Sequence, residues 1–167
     1  MTNCLNWKWG ETCPISAKVA SSIAVRIGDL LWLDSDGYAQ PASTFAKATD
    51  LAGTQASFAQ SFLGIAMQAS PSGTASSIRV ATTGTFEFSD DTASTVTELL
   101  GTFVGPNLNS AETYLKSDAV VTVASARIAI ARIVHQENVP AGKAYVSILS
   151  TVMNGGVPAS DPLHATA

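Results

Sequence analysis

Few side chains in this sequence are grouped in a way that could do chemistry. A Ser-His-Asp triad would need one of the two histidines, His135 or His164, and no G-x-S-x-G elbow is present. His135 ends an apolar run and precedes Gln136-Glu137-Asn138, so it reads as the first residue of an exposed turn. Asp34-Ser35-Asp36-Gly37 opens like a calcium loop, in which alternating carboxylates converge on one ion. That loop needs glycine at its sixth position and a bidentate Glu at its twelfth. Here Gly37 is fourth and Phe45 twelfth, so the segment reads as a hairpin turn. Glu87 with Asp90-Asp91 has the charge for a weak cation site but reads as a solvated acidic turn. Cys4 and Cys13 are too widely spaced for a redox or zinc C-x-x-C pair. They are either two free thiols or one bridge closing a small N-terminal loop. Neither a phosphate-cradling glycine loop nor a nucleotide fingerprint occurs. No catalytic residue, cofactor or metal is expected, and the chain is not read as an enzyme.

The elements that must carry any function are strands. Val25 to Leu33 reads as a strand entered through a Gly28-Asp29 corner and left through an Asp36-Gly37 hairpin. Tyr38 to Ala42 is its return strand, with Pro41 marking an edge or an end. Leu51, Phe58 and Phe62 fall at helical spacing and predict a short helix over 51–60, placed to plug one end of a barrel or sandwich. Phe62 to Met67 is a buried strand whose Gly64 marks a bulge or a close backbone approach. Ser77–Ala81 and Thr85–Phe88 alternate as strands should.

A second series follows. Leu100-Gly101-Thr102-Phe103-Val104 matches Ile27-Gly28-Asp29-Leu30-Leu31; Arg127–Val134 matches Phe62–Met67; Ala144–Leu149 matches Ser77–Val80. The order is the same both times, which predicts an approximate internal duplication. The expected fold class is all-β, mainly β with one short helix. It is a compact β-barrel (β-tulip-like) or a sandwich of two related halves. The expected organisation is an extended N-terminal arm over 1–20 and a β domain over 21–153, with halves at about 21–90 and 95–153. A flexible C-terminal tail over 154–167 completes it.

Within the arm, Leu5, Trp7 and Trp9 alternate with Asn6 and Lys8, a period of two that puts both indoles on one face. The indoles either fold back onto the domain's own core or form an arm that docks on a neighbouring subunit or a partner. Trp is favoured where contacts dominate binding energy, so Leu5, Trp7, Lys8 and Trp9 are the candidate contact residues.

Composition narrows the partners. Only 13% of the residues are charged, about half the usual share, which suits flat β surface or surface covered by a partner. A net charge of −4, with nine basic residues scattered singly, argues against nucleic acid. No apolar run is long enough for a membrane helix, and no basic stretch precedes an apolar core near Met1, so no signal peptide is expected.

Taken together, Trp7-Lys8-Trp9-Gly10, Ile27-Gly28-Asp29-Leu30-Leu31-Trp32-Leu33, Phe62-Leu63-Gly64-Ile65-Ala66-Met67-Gln68 and Ile78-Arg79-Val80-Ala81-Thr82-Thr83-Gly84-Thr85-Phe86-Glu87-Phe88 carry a resemblance. The chain resembles the capsid decoration (cement) proteins of tailed bacteriophages, in which G-D-L, L-G-[IV]-A and R-V-x-T-x-G strands recur in this order. The likeness extends over most of residues 7 to 152. The second series departs from it, with Thr102 for the Asp of G-D-L and Ala131 where a Gly is expected. The resemblance implies a non-enzymatic virion protein, made in the host cytoplasm and seated on the outer capsid surface. It implies a homotrimer that bridges neighbouring major capsid protein subunits, with the Trp7/Trp9 arm as its latch. Two other readings remain: a different virion β-protein, such as a head fibre base or tail component, and a carbohydrate- or surface-binding β-module.

Overall fold

The structure is a computed structural model that describes residues 5–92, 100–135 and 139–155 of the 167-residue chain. Cys4, His164, Gln136-Glu137-Asn138 and the tail beyond residue 155 lie outside those residues, and with them any pairing of Cys4 with the exposed Cys13.

Alternation in the sequence builds most of the strands. In Lys143–Leu149 (β11), Ala144, Val146 and Ile148 are buried while Tyr145 and Ser147 face the other way. Ile15–Val19 (β2), Leu30–Leu33 (β3), Ala39–Pro41 (β4), Phe62–Ala66 (β5) and Ser76–Ala81 (β6) form an antiparallel sheet in the order β2-β6-β5-β3-β4. Thr83–Asp90 (β7), Phe103–Leu108 (β8), Leu115–Thr122 (β9), Ala131–His135 (β10) and β11 form a second sheet in the order β7-β11-β10-β8-β9. Ser89 and Asp90 of β7 then pair in parallel with Ala119 and Val120 of β9 and close that sheet into a mixed barrel. Trp7–Trp9 (β1) adds a sixth strand beside β7. The fold is therefore mainly β, a closed five-stranded barrel joined to a second five-stranded sheet.

Moving five strands along the chain turns the first order into the second. The agreement reaches single hydrogen bonds. Gly28 N–H donates to Ala66 O at 2.8 Å and Ala66 N–H to Asp29 O at 3.0 Å; Gly101 N–H donates to Ile133 O at 2.8 Å and Ile133 N–H to Thr102 O at 2.9 Å. Gly28 and Gly101 both take positive φ, 91° and 82°, where a side chain would be strained. Leu31 faces Gly64 as Val104 faces Ala131. The two strand series span 15–81 and 83–149, so their limits differ from the sequence reading. Ile15–Val19, assigned to the arm, pairs along its whole length with β6 and buries Ala17 and Val19. The strand beginning at Thr83, assigned to the first half, belongs to the barrel with the second series.

Two predicted strands are shorter than their apolar runs. Val25 makes only an isolated bridge to Ser70, and β3 begins at Leu30, after the Gly28 corner. Ala126–Ile128 is a 3-10 helix, and β10 starts at Ala131. Leu51–Gln60 (α1) is the predicted helix, with the Asp50 carboxylate accepting from Gly53 N–H at 2.6 Å as its N-cap. It lies against β8, where Gln55 Nε2 donates to Pro106 O at 2.8 Å. A second helix, Thr151–Asn154 (α2), was not expected. Ser150 caps its start and Gly155, at φ 79°, ends it.

The buried apolar residues form two clusters. Leu30, Phe58, Phe62 and Ile65 join Phe86, Val104, Val120, Ile130 and Ile148 in the cluster shared with the barrel. Val19, Leu31, Leu63, Ile78 and Val80 pack in a second cluster belonging to the first sheet. Adjacent residues thus serve different cores, as strand alternation requires.

The β3–β4 hairpin is organised by Asp34. Gly37 N–H donates to its carbonyl at 3.1 Å, and its carboxylate accepts from Tyr38 N–H at 2.8 Å, Asp36 N–H at 3.0 Å and Gln40 Nε2. Burial opposes ionisation of Asp34, but these hydrogen bonds outweigh it and hold the carboxyl below its usual range. Asp34 thereby fixes the geometry of the turn. Asp34→Ala is expected to cost about 1–2 kcal/mol in urea unfolding. An unchanged midpoint would show that the backbone alone holds the turn.

Candidate interaction surface

The candidate surface lies around β1, where two large indoles are left half exposed. Trp7 faces Phe86 and Trp9 faces Thr85, so two steps along β1 match one step along β7. That bulge overturns the one-face expectation. Phe86 and Thr85 are neighbours in a strand and point to opposite faces, and each indole shares the face of its partner.

On one side, the Trp7 indole is 48% exposed and donates from Nε1 to Gly10 O at 3.1 Å. It borders a shallow apolar groove with Leu5, Pro14 and Met67. Leu5 is half-buried against the shared core. On the barrel's outer side, Trp9 is 43% exposed and meets His135 and Tyr145 edge-on, at centroid distances of 5.7 and 5.8 Å. His135 and Tyr145 stack on each other at 16°. Lys8 Nζ lies 2.7 Å from Glu87 Oε2 and 5.1 Å from the Tyr145 ring centre. Its hydrogen bond to Glu87 raises the Lys8 pKa above the ordinary lysine value, against a smaller opposing effect of burial.

Of the four sequence-predicted contact residues, Trp7, Lys8 and Trp9 therefore sit on the protein's own sheet and Leu5 lies just before it, the set being split between a groove and an aromatic platform. Sequence reasoning missed His135 and Tyr145 as members of that platform. Tyr145 was findable, because period-two alternation along β11 turns it outward between buried Ala144 and Val146. His135 is the last residue of β10, not the first of a turn.

The chain entering β2 is tied down. Thr82 and Thr83 N–H groups both donate to Thr12 O, at 2.8 and 3.3 Å. Their hydroxyls donate to Cys13 O and Glu11 O, each at 2.7 Å. Asn6 and Cys13, on either side of β1, hold positive φ at 50° and 39°.

A second concavity, of about 720 Å³, opens between the sheets, with Arg26, Asp29, Lys116, Asp118 and Lys143 among its lining residues. Burial pushes the Asp29 carboxyl up to about 6. The Arg26 N–H, donating at 2.8 Å, and the Arg26 charge pull it down, while Asp118 pushes it further up. The acidic groups singled out in the sequence do not converge: Glu87 engages Lys8, Asp91 engages Lys116 and Asn107, and Asp90 accepts from Thr92 N–H. Among the described residues, no three His, Cys, Asp or Glu side chains are placed to hold a metal ion. No protein-family model and no curated protein matches the chain.

Proposed function

We propose that this protein is a structural clamp that binds the outer surface of an assembled phage head and bridges neighbouring major capsid protein subunits. The observation that carries this reading is the pair of half-exposed indoles, Trp7 and Trp9, held on an edge strand. Indoles left in water at this cost are the residue type that most often anchors an interface. Three further features support it. The two hydrogen-bonded sheets give a rigid base, so little ordering entropy is lost on docking. The charge-poor composition suits a face that is covered in use. Resemblance to the decoration proteins covers the strands that build both sheets.

On this reading the working form is a homotrimer on the virion. A clamp that prefers the assembled shell to free subunits stabilises it by mass action, repeated over many equivalent sites.

The test is a binding isotherm on expanded capsids lacking a decoration protein. Saturable binding and a raised capsid disruption temperature are expected. Trp7→Ala/Trp9→Ala is expected to weaken binding by at least about thirtyfold, the loss of one interface hot spot. Retention on a glycan array together with indifference to capsids would overturn the proposal in favour of a carbohydrate-binding module.

A further inference from the structure

The three-residue strand β1 is attached to the molecule in an unusual way. Residues 11–13 are fastened by hydrogen bonds to Thr82 and Thr83, whereas β1 pairs farther along β7, at Thr85 and Phe86, and leaves both its indoles half in water, Trp9 lying against His135 and Tyr145. Between the fastened stretch and the strand stands Gly10, at φ 89°. A glycine there can swing through conformations closed to other residues, so the strand has a hinge at its root.

We propose that β1 is an exchangeable strand, donated through the Gly10 hinge to β7 of a second copy of this chain. The occupant follows from complementarity. The edge of β7 offers Glu87 N–H to Asn6 O at 3.0 Å, the Glu87 carboxylate to Lys8, and the Tyr145–His135 pair to Trp9. That arrangement is fitted to this particular segment, and every copy carries one segment and one receiving edge. Exchange keeps all of those contacts and changes only which chain supplies them, so its enthalpy is near zero and concentration decides the outcome. The strand is the one whose indoles are assigned above to capsid contact, but its exchange between copies needs no capsid, so either proposal can fail without the other.

A charge swap tests it. Lys8→Glu alone sets a second carboxylate against that of Glu87 within one chain, and Glu87→Lys alone sets a second ammonium against that of Lys8. Mixed, the two variants match charge only when each arm crosses to the other chain, and both crossings then match. Mass by light scattering across a concentration series is expected to show each variant as single chains and the mixture as a mixed assembly. The mixture should associate about tenfold more tightly than either variant alone. A mixture whose mass equals the average of its components overturns the proposal. So does mixed association that survives removal of residues 1–9 from both chains, since the contact would then lie elsewhere.

Discussion

Gly64→Ala is expected to cost at least about 3 kcal/mol, a large part of the 5–15 kcal/mol that ordinarily separates folded from unfolded. A Cβ at Gly64 would lie 2.0 Å from Ala81 O and 3.0 Å from Val80 Cγ1. Both neighbours belong to β6, and the first is backbone, which cannot turn aside as a side chain can. Gly64 also holds φ 147°, a conformation L-residues rarely take. Relief would require β5 and β6 to separate where Ile65 faces Ala81, at the boundary of both apolar clusters. The matching position in the barrel supplies the control. Ala131 occupies the same place in the β8–β10 ladder and is fully buried with its methyl accommodated. Ala131→Gly should therefore cost only about 1 kcal/mol, from added backbone freedom and a lost methyl. Urea unfolding of both variants decides the matter. A Gly64→Ala chain within about 1 kcal/mol of wild type would mean the strands do not approach so closely.

Asp29→Asn should have the second largest effect, and in the stabilising direction. The folded carboxyl titrates at about 6, pushed up by burial, whereas an unfolded Asp titrates near 3.9. Between those values the folded chain holds a proton that the unfolded chain has released. Stability therefore falls as pH rises through about 4 to 6 and stays low above that window. The full difference is about 3 kcal/mol at neutral pH. Asn keeps an oxygen to accept the Arg26 N–H and carries no charge to desolvate. The variant should match wild type near pH 4, exceed it by up to about 3 kcal/mol near pH 7.5, and show a flatter profile between. Urea midpoints across that range provide the measurement. Equal slopes for the two proteins would show that Asp29 is better solvated than the fold implies. Retaining so costly a carboxylate at the Gly28-Asp29 corner is consistent with its place on the wall of the cleft between the sheets.

The chain's own residues settle what is local. Alternation along Lys143–Leu149 gives a strand and says that Tyr145 points outward. Asp34-Ser35-Asp36-Gly37 gives a hairpin, because an Asp carboxylate and a following glycine satisfy the turn without help from elsewhere. Leu51, Phe58 and the Asp50 cap give a helix. The paired Gly28 and Gly101 corners betray two related strand series, since both need a backbone conformation that only glycine takes freely.

Pairing is not local, and it decided the rest. Nothing within Trp7-Lys8-Trp9 announces that β7 will advance one residue while β1 advances two, yet that step separates the indoles onto opposite faces. Ile15–Val19 reads as part of an arm until Arg79 and its neighbours are found opposite it. Thr83–Asp90 follows the first series in the chain but closes a barrel with the second, because its parallel partner, Ala119–Val120, comes some thirty residues later. The aromatic platform of Trp9, Tyr145 and His135 draws on three separate strands. Sequence thus named the arm and its two indoles, and register between distant strands determined which way each one faces.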